Sequence, residues 1–556
     1  MLAGKQRRFL IAVGLALVLT PSPLRLFAQN FPPAQQPLPG GGFRVAGKLV
    51  NALGGNTLAG VRVTLVDAKN SEDSVSTITS QEGTFEFLRL PAGKYALSGQ
   101  KRGFLPSAYQ QHGQFSTAIV TGAGFDTEHL VLQLPPFAVL SGKVLDESGE
   151  PVRRATVSLY REDHQLGVGR IQKVRQENTD DQGTFEFYGL RPGTFFLSAS
   201  ATPWYAVHPR PSLNATQQSF QSVQSSLDVA YPVTYYKDAS DPDEALPIPI
   251  RGGDRLEADI HLSPVPAIRL LFRVPGNGEN GFVNPTLQRP AFDGLDVVPL
   301  QSVEMVSKGL YAITGIAPGA YTVRMPGPGQ GNTVDVNLDL TQDGQELDAS
   351  KGEPISTVKI TVHAAGEETL PAQLSVALRN SKLRVAGWQQ VSPKGNVEFN
   401  DISPGKYEVL VLSPQRAYSL VSISSEAGEI PGHILNVPPG SSMDISLSVV
   451  GSTMNVEGVA KKNGKPFAGV MVVLVPKDPE SNRILFRRDQ SDMDGSFNLL
   501  NVIPGTYTIV AIEDGWDLDW GSPGVIAAYA RNGRTVTVGG TQGAMHLEDP
   551  VVVQPK

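Results

Sequence analysis

Cysteine is absent from all 556 residues. That excludes disulfides, thiolate metal centres, a cysteine nucleophile and a lipid-modified N-terminal cysteine, so stability must come from packing. Charged residues are also scarce, at 18%, against about 25% in ordinary globular chains. Long apolar runs are missing. The longest, Phe9 to Thr20 behind the basic Lys5, Arg7 and Arg8, is too short to span a bilayer and has the form of a secretory signal peptide. Cleavage is expected after Ala28, giving residues 1–28 as signal and no transmembrane segment in the mature chain. Its removal takes away Lys5, Arg7, Arg8 and Arg25 and leaves 43 basic against 54 acidic residues, a net charge of −11. Phosphate backbones repel such a chain, and no basic stripe interleaved with aromatics offsets this, so nucleic acid is excluded as a partner.

Catalytic and cofactor signatures are equally thin. The eight histidines (His112, His129, His164, His208, His261, His363, His433 and His546) are scattered without H-x-H, H-x-x-E or H-E-x-x-H spacing, so no metal site is expected. There is no G-x-S-x-G elbow and no phosphate loop. No enzyme activity and no cofactor are expected. Asp180-Asp181 and Asp492-x-Asp494-Gly495 fall short of a calcium loop's ligand set and read as turn chemistry.

Glycine and proline are abundant. The 57 glycines and 43 prolines make 18% of the chain, turn-rich yet below the about 25–30% typical of disorder. One pattern organises them. Gly83-Thr84-Phe85-Glu86-Phe87 leads to Gly93 and Tyr95, and Gly183-Thr184-Phe185-Glu186-Phe187 leads to Pro192-Gly193 and Phe195. Looser copies run from Gly309 to Gly319 and Tyr321, from Gly395 to Gly405 and Tyr407, and from Gly495 to Gly505 and Tyr507. The paired glycines are always ten residues apart, and the copies recur at 100, 126, 86 and 100 residues, the size of small sandwich domains rather than solenoid repeats.

Within each copy Phe85 and Phe87 or their counterparts alternate with polar residues, the period of a half-buried strand. Polar turns ending in Gly precede it, where Gly supplies a left-handed conformation. Pro192-Gly193 fits a type II turn before an inward-facing strand. Upstream strands flank turns such as Asp146 to Pro151, giving about seven short strands per 100 residues. The fold expected is all-β, a tandem array of about five antiparallel β-sandwich domains of prealbumin-like or Ig-like type, with short helices confined to insertions.

The run G-x-V-x-x-x-x-G-x-P-x-x-x-A-x-V-x-L from Gly142 to Leu159, followed by D-x-G-x-F-x-F-x-x-L-x-P-G-x-F at 181–195, resembles the carboxypeptidase regulatory-like domain. The resemblance implies a transthyretin-like sandwich akin to carbohydrate-binding-like folds and Cna B-type repeats, in an accessory rather than catalytic role. It is strongest in copies one, two and five. Cna B-type relatives form Lys–Asn cross-links through an acid four residues after the final-hairpin Tyr. Gly99, Ala199, Met325, Val411 and Ala511 stand there, so no such bond is expected.

The boundaries drawn from the copies are linker 29–42, then sandwiches 43–136, 137–266 with an aromatic insertion, a divergent 267–354, 355–450 and 451–556. The near absence of linkers, as at Leu134-Pro135-Pro136-Phe137, predicts a semi-rigid rod. Two regions exceed the framework. Residues 204–236 add Trp204, Tyr205, Tyr231, Tyr235 and Tyr236, with Phe220, Val223 and Leu227 at helical spacing after Asn214. Residues 513–533 add Trp516 and Trp520 among acids, then a short helix from Ser522-Pro523 to Asn532-Gly533. Aromatic faces beside carboxylates suit sugar rings, and they equally plug the open ends of sandwiches. Trp204, Tyr235, Tyr236, Trp516 and Trp520 are therefore the candidate ligand-binding residues. The expected role is a secreted, periplasmic or outer-surface protein that binds polysaccharide or cell-envelope material. A structural spacer or adhesion module partnering a surface protein, and an accessory chain of a secreted hydrolase, are the alternatives.

Overall fold

The computed structural model describes residues 41–556 apart from 123, 165–166, 210–224, 274–284, 301, 308, 327–332, 365–369, 372, 415, 431 and 481. The expected signal peptide, nearly all of the linker, and Asn214, Phe220 and Val223 lie outside the described residues.

Alternation of apolar and polar residues does what the period of two requires. In strand Thr84–Leu90 the side chains of Phe85, Phe87 and Leu90 are buried and the others exposed, and the same holds in Thr184–Leu190 for Phe185, Phe187 and Leu190 apart from a half-buried Thr184 and Gly189. Five separate cores result, spanning Val45 to Leu134, Ala138 to Leu262, Ile268 to Ala349, Val358 to Val449 and Met454 to Val553. The molecule is a tandem array of β-sandwiches. In the first, strands Thr84–Leu90, Phe43–Asn51 and Leu130–Leu134 form one sheet, and Ser74–Ile78, Arg62–Asp67 and Gly93–Gln100 lead the other. Among the described residues pairing is antiparallel except that the opening strand of each sandwich runs parallel to a late one, as Gly47 to Asn51 does beside Leu130 to Leu134, and that in the fifth Ala511 and Ile512 also run parallel to Val553 and Gln554. A single α-helix, Pro523–Ala530, occurs among the described residues, starting after Ser522 as expected.

The repeated glycine pattern acquires a partly different meaning. Gly83, Gly183, Gly309, Gly395 and Gly495 are left-handed, with φ between 70° and 87°, as their turns demand. The Pro-Gly turn is not type II. Gly193 has φ 154° and is already the first residue of its strand, because Thr184–Leu190 and Gly193–Ser200 belong to opposite sheets and the connection arches over the core instead of folding a hairpin. The left-handed residue sits earlier, at Arg89, Gly189, Gly315 or Asn501, where the register slips by a bulge against the opening strand in the first three sandwiches.

The aromatic after that arch closes it. Tyr95, Tyr321, Tyr407 and Tyr507 each donate a hydroxyl hydrogen bond to the carbonyl four residues back, on Pro91, Ala317, Ser403 and Ile503. Phe195 has no hydroxyl. There Arg161 lies 5.7 Å from the Phe195 ring and donates to the Pro192 carbonyl, so a guanidinium from the neighbouring strand ties the same arch.

The rod expectation fails. Met493 donates its backbone N–H to Ala118 O at 3.1 Å and Gly521 donates to Gly167 O at 2.9 Å, so the fifth sandwich folds back onto both the first and the second. The second also meets the third through Ile171 N and Asp293, and the fourth through Arg170 and Leu383 O. Short linkers limit slack but do not fix direction; the side chains between domains do.

Two outcomes follow. Tyr507→Phe keeps the packing and strands a buried carbonyl, so the fifth sandwich is expected to lose about 1–2 kcal/mol, whereas Tyr507→Ala should lose about 3–5 kcal/mol; calorimetry resolving the domain transitions checks both. In this cysteine-free chain, Ala118→Cys with Met493→Cys should give an intramolecular cross-link with a short bis-thiol reagent, seen as a mobility shift. A rod gives intermolecular species alone.

Candidate binding site

The aromatic additions divide by exposure. Trp204 is 87% exposed, whereas Tyr235 is 0% and Trp520 9% exposed. Tyr235 and Tyr160 both pack against Phe292 of the third sandwich, at 5.5 and 4.9 Å between centroids. Tyr236 packs on the second core, with the Lys237 ammonium 5.0 Å from its ring. Trp516 stacks on His112 of the first sandwich at 4.9 Å and 4°, and its Nε1 donates to Gly469 O. Arg488 lies 4.0 Å over Trp520 and 5.3 Å from Phe115; burial pulls its guanidinium down to about 10. The structure therefore brings Trp516 to the contact between the fifth and first sandwiches, packs Trp520 within the fifth beside Gly167 of the second, brings Tyr235 to the contact between the second and third, and leaves Trp204 facing solvent.

The polar half of the fold-back was not legible in advance. Gln490, 1% exposed, donates to Gln110 O and Thr117 Oγ1 and meets His112 Nδ1 at 3.0 Å. Asp492 accepts from Ala118 N at 2.9 Å and pairs with Lys94 at 2.7 Å, while Asp494 is 3.5 Å from the same ammonium. Asp180, in the equivalent turn of the second copy, instead accepts from Gln182 N and Thr184 N of its own turn. Asp494 likewise accepts from Ser496 N of its own turn, so the Asp492-x-Asp494 pair keeps its turn chemistry and in addition holds a lysine of another sandwich. Burial works to push the Lys94 ammonium down, yet Asp492 and Asp494 leave it raised.

Between the second and third sandwiches lies a cavity of about 320 Å³. Its floor is the outer face of the second sandwich, where Thr156 pairs with Ser200 and Ser158 with Ser198 across adjacent strands, so four hydroxyls lie side by side on one face. The next pair, Tyr160 with Phe196, is aromatic and is covered by Phe292. The face is polar where it lines the cavity and apolar where the third sandwich seals it. Arg289, Asp296, Thr314 and Tyr321 line the opposite wall, and Arg154, Lys173, Gln176, Thr202, His208 and Tyr231 also line it. Tyr231 and Tyr205 both donate to Glu147, which anchors the insertion. His208 bonds Asp228 at 2.8 Å, and a Cβ on the left-handed Gly315 would stand 2.6 Å from its Nε2. Lys173 and Asp296 pair at 2.8 Å. A larger, shallower depression of about 1170 Å³ on the first sandwich has its Arg44 already paired with Glu86 and Glu128. Among the described residues no cluster of three His, Asp or Glu side chains has metal-binding geometry.

Residues 44–124 and 139–226 match the family model of the carboxypeptidase regulatory-like domain. These two segments are similar to that domain. The matched segments fall in the first two sandwiches, and the same spacing of glycines and aromatics recurs in the other three. Solved structures similar to the chain include the Bacillus anthracis TIE protein (12% identity, 74% of each chain, TM-score 0.18). The minor pilin GBS52 of Streptococcus agalactiae is another (15% identity, 40% of this chain and 97% of that one, TM-score 0.20). Two B repeat units of the Staphylococcus aureus collagen-binding protein Cna are a third (10% identity, 73% and 99%, TM-score 0.13). Scores this low carry no argument about arrangement or role. No curated protein matches the chain.

The fold-back makes one titration testable. Burial pushes the Asp489 carboxyl up from 3.8 to about 6, against the pull of Asn498 N at 2.6 Å. The folded state then holds a proton between about pH 4 and 6 that the unfolded state releases, so this stabilising contribution is full below about pH 4 and lost as pH rises through 6. Its size is about 3 kcal/mol at most. Asp489→Asn, neutral throughout and still able to accept from Asn498, should be more stable than wild type at pH 7 and lose that advantage toward pH 4. A stability difference independent of pH would count against it.

Proposed function

We propose that the chain is a secreted, non-catalytic binding protein for carbohydrate or other cell-envelope polymer, its five sandwiches held together as one platform. The observation that carries this reading is Trp204: 87% exposed, it follows directly on Thr202 and Pro203, which line the hydroxyl-floored cavity. An indole face open to solvent beside a row of hydroxyls and amides suits a sugar, whose C–H face stacks while its hydroxyls bond. The carboxypeptidase regulatory-like framework, accessory by resemblance, and the apolar run at Phe9 to Thr20 support the secreted, non-catalytic part. The five-part division at the boundaries given above belongs to the same proposal. A bare spacer has no use for a fifth sandwich returned to the first, which favours a platform over a spacer.

Affinity electrophoresis of the mature chain against a panel of neutral and acidic polysaccharides tests the reading. Retention should fall by about tenfold in affinity on Trp204→Ala, since stacking on an aromatic face contributes on the order of 1 kcal/mol or more, with the far-UV spectrum unchanged because Trp204 holds no core. Trp516→Ala should instead loosen the fold-back. No retention by any member of the panel leaves the spacer role.

A further inference from the structure

The cavity between the second and third sandwiches has an imbalance that neither fold nor packing requires. Its charged lining is Arg154, Lys173 and Arg289 against Asp296. Lys173 and Asp296 neutralise each other at 2.8 Å, and Asp296 also accepts from the Tyr160 hydroxyl. Arg154 and Arg289 remain. Arg289 donates to the Ser240 carbonyl, lies 5.9 Å from the Tyr235 ring and stands opposite Asp296 on the paired strand, so Asp296 is the one carboxylate lining the cavity beside three cations and the lining keeps an excess of positive charge; a guanidinium stays protonated at any working pH. Arg154 stands at a left-handed backbone position, φ 58°, where most side chains are strained and a glycine would serve the turn better.

The rest of the lining is built for hydroxyls. Thr156, Ser158, Ser198 and Ser200 form the floor, with Gln176, Thr202, Thr314, Tyr231 and His208 around it. Ser158 and Ser198 are 5% and 3% exposed, so their hydroxyls sit at the bottom of the cavity rather than on an open surface. At about 320 Å³ the volume falls at the small end of ligand pockets, about 300–1,000 Å³. Lipid is a poor fit to a floor of hydroxyls, and a neutral sugar leaves two guanidinium groups without a counter-charge.

We infer that this cavity binds a carboxylated sugar unit of an acidic polysaccharide, its carboxylate on Arg154 and Arg289 and its hydroxyls on the serine and threonine floor. The inference rests on the carbohydrate-binding reading above and adds the sign of the ligand's charge and the site. Carboxylate–guanidinium pairing is bidentate and charge-assisted, which is why arginine rather than lysine suits the task. Trp204, just outside the lining, is placed to stack on the next ring of the chain.

Calorimetric titration of the mature protein with trigalacturonate, with an alginate trimer, and with the fully methyl-esterified galacturonate trimer tests it. At least one acidic trimer should bind, and the ester, equal in shape but without charge, should bind at least about tenfold more weakly. Affinity for the acid should fall as salt rises. Arg154→Gln and Arg289→Gln should each weaken the acid about tenfold and the ester little, and Arg154→Lys should restore part of the loss; near-UV spectra confirm that the contact between the sandwiches survives. Equal binding of acid and ester, or arginine variants indistinguishable from wild type, overturns the inference while leaving Trp204-dependent polysaccharide binding standing. Binding of neither acidic trimer overturns it as well, and absence of all polysaccharide retention overturns both.

Discussion

The arrangement of the molecule turns on one half-buried polar contact, the Lys94 ammonium held by Asp492, Asp494 and the Ser496 hydroxyl. An ammonium and two carboxylates lose water on coming together, and this is favourable only where each charge finds a partner of good geometry. Here Asp492 also accepts the Ala118 N–H, and the turn that carries it is tied to Ala118 O by Met493 N. The sandwiches meet along a strip of satisfied backbone and side-chain groups flanked by apolar contacts, with Trp516 on His112 to one side and Met493 packed into the first core. This strip, with the contacts of the fifth sandwich on the second, turns five sandwiches joined by short linkers back on themselves.

The framework was legible because it repeats. A period of two with aromatics, glycines ten residues apart and a tyrosine after the arch are local signals, and each states its own geometry. Even so, the tyrosine reads from sequence as a core anchor alone. Its hydroxyl bond to the carbonyl four residues back needed coordinates, although the pairing of Tyr in four copies with Phe and a cross-strand Arg161 in the fifth case was there to be compared. What separates the copies was not legible. Lys94 and Asp492 lie 398 residues apart, and nothing in either neighbourhood names the other. The same limit applies to the aromatics beyond the framework. Tyr235 and Trp204 sit in one insertion with the same composition, yet one is sealed under Phe292 and the other faces water, because a ring's role is set by whether another domain arrives on it.

That distinction runs along the outer face of the second sandwich. A sandwich needs its inner faces apolar and leaves the outer ones free, so what is written there is available for other purposes. In the strands Thr156–Asp163 and Gly193–Ser200 it is written in two halves: hydroxyls at Thr156, Ser158, Ser198 and Ser200, then rings at Tyr160 and Phe196. Phe292 takes the rings, and the third sandwich stops there. The hydroxyl half, roofed at a distance by Arg289, Thr314 and Tyr321, becomes a cavity as a consequence of where the apolar half ends.

The contacts of the second sandwich with the third and the fifth act on one hairpin. Its strands, Thr156–Asp163 and Arg170–Asn178, supply Thr156, Ser158, Lys173 and Gln176 to the cavity near the open end. Near the turn, His164 bonds Asp519 at 2.6 Å and Gly167 O accepts from Gly521 N, both from the fifth sandwich. A long edge hairpin held at one end alone twists and splays. Held at its base by the second core, along its middle by Lys173 on Asp296 and near its turn by Ile171 N on Asp293 and by the fifth sandwich, it presents a fixed floor. A site whose floor is fixed before the ligand arrives has less ordering entropy to lose on binding. The fold-back between distant sandwiches, which the repeated framework does not need, thereby has a use in the geometry of the cavity.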